Sequence, residues 1–577
     1  MSTAVIAPLL VALVTAIATL LTRTNDTINR GVSLLGGVGY FAAVALLFQR
    51  IVLPLGSEGQ TLVYQVSGWK APFGIVLVAD PLSAFMLALT AIVSLCALTY
   101  SVLFVDGFGQ RLSYHPLYHF MVVGVTGSFL TGDIFNLFVW FEVMLMSSYI
   151  LVLFYSGPEH TRAALNYVVL NLLGSAVMLL AIGGLYATTG TLNMADLARR
   201  LADPATYDVA VAPVLGLAAV LFSVFALKAG IVPFQFWVPA AYRAAPAPVT
   251  AMLAGVVKKV GVYAIVRLYF TVFAAASLPV SLPFISGDSM LAFFGPVFFV
   301  MATASIVVGG VGAIGREDID GLLAYSSISQ VGFIILPFAV AAMANSRTVQ
   351  MLGVTAGIVY AFNHGLAKSL LFLASGTIQE AVGTARFDQL GGLARRAPVL
   401  SAGFLLGALT LIGVPPLSGF FGKLLVFQTA ADAFALDAIG AGAALIVALV
   451  GAVLTIAYYT RAWNDAFWGA PGSAVEAAIP SRWTGPVSVE ADESAVADAG
   501  GRADGGTANN VSDPPASFAL TGQVVVVAAL AVTVIAFGIG FDAVYQTATT
   551  AAKAALNTEG YMKAVLGSVG ALVGVVA

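Results

Sequence analysis

Apolar runs of roughly 20 residues, the length of helix that crosses the hydrocarbon core of a bilayer, recur from end to end of this 577-residue chain. Fourteen can be marked, at 4–21, 31–53, 80–105, 116–132, 134–155, 162–188, 211–232, 247–276, 290–314, 322–343, 351–377, 399–427, 440–467 and 518–540. In hydrocarbon the backbone must satisfy its own hydrogen bonds, so runs of this length are helices. Composition agrees: 60% of residues are hydrophobic, 9% are charged and mean hydropathy is +0.96, against about 25% charged in soluble domains. The expected fold is an all-α polytopic membrane protein of about fourteen transmembrane helices. The first run begins at Ala4 without a basic lead-in or a convincing cleavage site and reads as a span rather than a removable signal. Cys96 is the only cysteine, which excludes an internal disulfide and a cysteine metal site. The net charge of −3 points to no nucleic-acid partner.

Loops between the runs are short, with one exception. The segment 468–517 is rich in Ala, Gly, Asp, Glu, Ser and Pro and is expected to be a disordered acidic insert, either a solvated linker or a docking segment. Arginine placement orients the chain. With the N-terminus outside, inner loops carry Arg23, Arg30, Arg111, Arg162, Arg243, Arg316, Arg386, Arg395, Arg396 and Arg461. Outer loops then keep only Lys70, Arg199, Arg200 and Arg347 before the last span. The tail from Phe541 is too short to span and is expected along the interface or packed on the bundle.

Against this apolar background a few charges stand at bilayer depth, where an ionisable group is costly enough to suggest function. Lys228 closes one run five residues before Pro233, so the seventh span should be broken there. The segment GVPPLSGFFGK repeats the pattern five spans later, with Pro415, Pro416, Gly419 and Lys423. Matched interrupted spans in two halves are the sequence signature of inverted-repeat transporters.

Glu142 lies nine residues beyond Asp133, about 13 Å along a helix, and at that depth must be protonated or paired. Lys228 is its candidate partner: closed, the pair keeps the lysine charged; opened, desolvation favours release of the proton. Lys258 and Lys259 point about 100° apart on a helix, so both should not face one narrow axis. Tyr263, one turn from Lys259, favours Lys259 as the axial residue. His364 and Lys368 share a helical face and suit a relay in which imidazole and amine exchange a proton. His115 and His119 have the same spacing at a span end, where ion access, a zinc site or a plain helix-interface pair are all open. There is no phosphate-cradling glycine loop and no nucleophile elbow, and glycines such as those of VVGGVGAIG suit close helix packing.

Four segments, TGDIFNLFVWFEVMLMSSY (131–149), 228–267, LLAYSSISQVG (322–332) and GVPPLSGFFGK (413–423), give the chain a resemblance to the antiporter-like superfamily. That superfamily includes the large membrane subunits of NADH-quinone oxidoreductase and the A and D subunits of Mrp-type cation/proton antiporters; the segments are most similar to the D type. The resemblance covers about 75–465 and implies fourteen helices with two inverted five-helix repeats containing broken helices, at 116–276 (helices four to eight) and 290–467 (helices nine to thirteen), between 1–115 and the 468–517 insert with 518–577. It implies a Glu142–Lys228 pair, an axial Lys259, and a hydrophilic axis through His364 and Lys368 to Lys423. It further implies no cofactor, partner Mrp subunits in the plasma membrane, and proton-driven sodium transport rather than an enzymatic reaction. The longer acidic insert and tail, and the acidic REDIDG at 316–321, depart from the family pattern. Two rival readings keep the architecture: a proton-pumping subunit of a respiratory complex, and a membrane subunit for inorganic-carbon uptake with a soluble zinc partner.

Overall fold

The computed structural model describes residues 2–107, 109, 112–155, 157–278, 289–438, 440–479 and 516–567. Helices α1 (Thr3–Leu21) and α2 (Asp26–Val52) precede an antiparallel hairpin of β1 (Leu62–Gln65) and β2 (Val76–Ala79), in which Leu62 faces Ala79. This hairpin is the only sheet among the described residues of an otherwise helical chain. Next come α3 (Pro81–Phe104), α4 (Tyr114–Leu130), α5 (Ile134–Val152) and α6 (Pro158–Thr189). A short α7 (Met194–Ala202) leads into α8 (Val211–Ala229), α9 (Trp237–Ala244) and α10 (Ala247–Ala275). The second half contains α11 (Met290–Ile314), α12 (Ile319–Met343), α13 (Arg347–Val382), α14 (Pro398–Ile412), α15 (Ser418–Ala435) and α16 (Ala441–Ala466). It ends in α17 (Ala516–Ile539), α18 (Phe541–Ala555) and α19 (Thr558–Leu566).

Among the described residues, eleven helices are long and apolar enough to cross a bilayer. The 17-residue α4, the 36-residue α13 and the pair α14–α15 occupy the other three expected positions. Polar caps set several boundaries: Asp80 accepts from Ser83 N at 2.9 Å at the start of α3, and Asp318 from Gly321 N at 2.7 Å at the start of α12.

Alternating helix directions give the bundle two faces. One, the hairpin face, holds the N-terminus, β1–β2 and α18–α19; the other, the arginine face, holds the loops with Arg162, Arg243, Arg316, Arg386 and Arg395. The two broken spans start from opposite faces. Helix α8 runs from the hairpin face to Gly230 (φ 69°), and α9 resumes beyond the 231–236 segment that contains Pro233. Helix α14 runs from the arginine face to Gly413 (φ 92°), and α15 resumes beyond Pro415 and Pro416. Both glycines are left-handed, a conformation other residues adopt only at a cost. The interruption expected within 399–427 is present: the Gly413 turn and the two prolines split the span, since proline cannot continue a helix from its interior, while Gly419 falls just inside the resumed helix.

Burial is graded from the centre outward. The whole apolar window of α10 is buried, as is 94% of that of α12, against 33% for α16 and 39% for α1. The lysine-bearing α10 is thus the central strut. The tail is packed on the bundle: Thr271 Oγ1 donates to Ala555 O at 2.7 Å, Thr558 Oγ1 to Thr271 O at 2.8 Å and Arg347 Nη2 to Leu556 O at 2.8 Å. Of the acidic insert, 468–479 is described and contains a short helix, Ser473–Ala478, with Val475 buried, and 516–517 begin α17; 480–515 lies outside the described residues, as does 568–577 of the tail.

Gly419 opens α15 so close to α14 that a β-carbon there would lie 1.8 Å from Thr410 O. Gly419→Ala is expected to destabilise the protein by about 1–3 kcal/mol. Gly31→Ala in α2, with nothing within 4 Å, should leave the thermal midpoint of the purified protein unchanged or slightly raised.

Candidate functional site

A line of ionisable groups, half-buried at Glu142 and buried from Lys228 onward, crosses the molecule from α5 to α15. At one end, Ser175 Oγ on α6 donates a short hydrogen bond to Glu142 Oε1 on α5. Lys228, 2% exposed at the C-terminal end of α8, has no hydrogen-bond partner for its Nζ, which sits 6.0 Å from the Tyr167 ring centroid. Glu142 is near enough to act on Lys228 through space, but the two do not form a contact ion pair. The pair expected from sequence is open in this conformation, with the carboxylate held by serine and the ammonium facing an aromatic ring.

The next step is Lys258. Gly230, the turn that ends α8, stands against it: a β-carbon there would lie 3.1 Å from Lys258 Cε and 3.2 Å from Nζ. Lys258 Nζ donates to Ser327 O and Oγ on α12, both at 3.3 Å. Lys259 points elsewhere, donating to Ala254 O at 2.7 Å and meeting His364 Nδ1 on α13 at 2.5 Å. The 100° separation expected from helical phase is present, and the two lysines do not share one direction: Lys258 reaches a neighbouring helix rather than the membrane interface. Helix α10 is enclosed on every side, so both side chains are 0% exposed and serve different neighbours. Wide π-type turns at Leu253–Val257 and Val266–Val272 flank the Lys258–Ile265 segment; such turns recur at functional sites.

One turn beyond His364, Lys368 Nζ donates to Leu323 O at 2.8 Å, to Ser326 Oγ through a short bond and to Tyr459 Oη at 3.3 Å. Beyond it lies a neutral cluster in which Gln330 Nε2 donates to Tyr458 Oη at 2.8 Å and to Thr455 Oγ1 at 3.1 Å, while Tyr360 donates to Gln330 Oε1. Lys423 on α15 ends the line. Its Nζ donates to Ile412 O at 3.0 Å, the carbonyl freed by the second break, and lies 5.0 Å from the Phe333 ring centroid. The ion pairs of the described residues lie elsewhere; Lys258, Lys259, Lys368 and Lys423 are held by carbonyls, hydroxyls and an imidazole, and Lys228 faces the Tyr167 ring.

Chemically, the Lys259–His364 contact is satisfied in two ways. An ammonium donates to a bare Nδ1, or an Nδ1–H donates to a neutral amine, so a proton can change owner without either side chain moving. The hydroxyls at Ser326, Ser327 and Tyr459 extend this by accepting one proton while giving another.

Tyr263 and Asp133, named in the sequence beside Lys259 and Glu142, have other partners. Tyr263 is one turn from Lys259 but turned toward α3. It donates to Phe129 O at 2.9 Å, meets Ser83 Oγ at 3.2 Å and accepts from Arg267 Nε at 3.2 Å. It thus braces a buried ion pair, Arg267 Nη2 to Asp80 Oδ2 at 2.6 Å, over which Tyr561 of α19 stacks at 4.9 Å. Asp133 caps α5 by accepting from Asn136 N at 2.8 Å; burial pushes its carboxyl above the usual range. His115 and His119 meet the Ser33 hydroxyl at 3.0 and 2.8 Å, a polar joint between α4 and α2. No group of three or more metal-ligating side chains occurs among the described residues. Sequence reasoning passed over Ser175, Ser326, Ser327, Gln330, Tyr360, Tyr458 and Tyr459. The signal available was spacing, since Ser326–Gln330 and Tyr360–His364–Lys368 each recur every four residues.

Fold and site together define a multi-pass membrane protein with two broken helices and a buried chain of protonatable groups. The chain belongs to the NADH:quinone oxidoreductase/Mrp antiporter transmembrane family, whose model matches residues 131–449. It is 33% identical over 471 residues to the D-type subunit of the Na(+)/H(+) antiporter of Alkalihalophilus pseudofirmus, covering 81% of this chain and 88% of that one. It is 34% identical over 482 residues to the N-type subunit of the NADH-quinone oxidoreductase of Desulforudis audaxviator, covering 82% and 88%. Among solved structures, a chain of the Mrp complex from Dietzia sp. DQ12-45-1b superimposes with a TM-score of 0.75 at 28% identity, covering 98% of this chain and 100% of that one.

Tyr263→Phe removes a hydroxyl that serves Arg267, Ser83 and Phe129 and should cost about 1–3 kcal/mol of stability. Ion exchange per folded molecule should be unchanged in vesicles. Lost exchange at full stability would return Tyr263 to the relay.

Proposed function

We propose that this chain is a proton-translocating membrane subunit of a multisubunit sodium/proton antiporter. It would work in the plasma membrane beside partner subunits of the Mrp type, with its N-terminus and hairpin face outside. The observation that carries this reading is the run of protonatable groups from half-buried Glu142 through buried Lys228, Lys258, Lys259, His364 and Lys368 to Lys423. Inward proton flow down the proton-motive force would drive sodium outward; the potential supplies about 2.3 kcal/mol per charge per 100 mV.

In this mechanism the segments 116–276 and 290–467 act as two repeats, each with a broken helix, between an N-terminal unit at 1–115 and a terminal unit at 518–577, with 468–517 an inner-side insert. Glu142 and Lys228 form the switch. Closing the pair holds the charge at Lys228; the open form, with Glu142 on Ser175, leaves the ammonium without an anion and drives the proton onward. Lys258, Lys259, His364 and Lys368 relay it, and Lys423 sits at the second break. The similarity to the N-type subunit of a quinone oxidoreductase keeps a second reading open, in which the same relay is driven by a redox module; iron–sulfur and flavin proteins in the purified assembly would establish it.

Glu142→Ala and Lys228→Ala should each abolish sodium-dependent pH change in everted vesicles, a loss of at least tenfold, with the assembly intact. Wild-type exchange in either variant would remove the pair from the mechanism.

A further inference from the structure

The acidic REDIDG segment and the Tyr242 hydroxyl are left unused by the mechanism above, and they meet in one cavity. On the arginine face a cavity of about 460 Å³ opens between α9, α10, α12 and α13, lined by Asp106, Asp320, Glu380, Tyr242, Thr250 and Phe372. It adjoins a second polar cavity of about 590 Å³ with which it shares His160, Arg243 and Asp320. The nearest cation, Arg243, is engaged: its Nη2 donates to Asp318 Oδ2 at 2.6 Å. Asp320 accepts from Ser375 Oγ at 2.6 Å and Glu380 from Gln523 Nε2 at 2.8 Å, which fixes the position of both carboxyl groups, and neither is in an ion pair among the described residues. A cleft with this charge excess concentrates cations.

At the inner wall stands Tyr242, 2% exposed, its ring edge-on to Phe372 at 5.3 Å and its hydroxyl without a hydrogen bond. A buried, unpartnered hydroxyl is uncommon and calls for an explanation. It faces Ser327 without closing a hydrogen bond to it in this conformation, and Ser327 Oγ accepts from Lys258 Nζ at 3.3 Å. From the cavity to Lys258 there are therefore only two hydroxyls.

We propose that this cavity is the mouth through which protons pass between the arginine face and the buried lysines, with Tyr242 and Ser327 as a two-hydroxyl filter ending on Lys258. The inference rests on the function proposed above. For release, the Lys258 ammonium gives a proton to Ser327 Oγ, Ser327 gives its own to Tyr242 Oη, and Tyr242 gives its own to a carboxylate or water in the cavity. Each hydroxyl gains one proton and loses one, and uptake is the reverse. Sodium gathers at the carboxylates but cannot follow, because hydroxyls hand on protons and not metal ions. Lys258 thereby becomes a terminal of the relay, and Lys259 its link to His364.

Two measurements test this. Tyr242→Phe keeps the ring and deletes only the hydroxyl; exchange in everted vesicles carrying the whole assembly should fall at least tenfold, with assembly and thermal midpoint unchanged. Wild-type exchange in Tyr242→Phe, beside an active wild-type control, overturns the filter; an inactive control would instead overturn the antiporter reading. The cavity has its own readout. In a Cys96→Ala background, Thr250→Cys in the purified assembly should react at least fivefold faster with a trimethylammonium methanethiosulfonate than with the sulfonate reagent. Equal rates, a faster sulfonate or no reaction would overturn the cation-gathering mouth.

Discussion

Keeping ammonium groups at bilayer depth without anions in contact is the constraint on which the rest of this structure depends. A desolvated charge is costly there, and several side chains carry one here. The protein meets the cost with backbone: Ile412 O and Ala254 O are carbonyls left accessible where helices break or widen, and each holds a lysine. The broken helices and π-type turns are therefore parts of the site. Glycines at Gly230 and Gly413 place a left-handed turn directly against Lys258 and Lys423, which ties each break to the charge it serves.

Helix α10 shows how one element can serve two directions. In a helix with one face to lipid, adjacent lysines would put at least one charge in hydrocarbon. Because α10 is enclosed all round, Lys258 reaches α12 and Lys259 reaches α13, and the pair joins the first broken span to the central His364. The Asp80–Arg267 ion pair, braced by Tyr263 and Tyr561, anchors the hairpin-face end of α10. An arginine does not give up its proton at accessible pH, so this end is charged permanently and suits anchoring rather than relay.

Much of the architecture was legible in the chain because bilayer thickness converts directly into run length, and because proline and glycine mark breaks. The site was legible where a residue was anomalous for its surroundings, as Glu142, Lys228, His364, Lys368 and Lys423 were. It failed where partners are neutral. Nothing in an apolar run distinguishes Ser175, which holds Glu142, from Ser223, whose hydroxyl bonds its own helix at Ala219 O. Tyr263 was misread because one-turn spacing places residues on one face but does not say which neighbour that face meets. Likewise the count of charges could not reveal that the Glu142–Lys228 pair stands open, since that is a property of conformation.

The central claim is that Lys259 and His364 exchange a proton across one short contact that joins the two halves. It is tested most directly by sodium-driven proton movement in vesicles carrying the assembled complex with His364→Ala, against His364→Gln, which offers a hydrogen bond but no titratable nitrogen. The account predicts that both variants assemble and both lose exchange at least tenfold. Wild-type exchange with glutamine at this position would mean that the contact only holds Lys259 in place, and would contradict it.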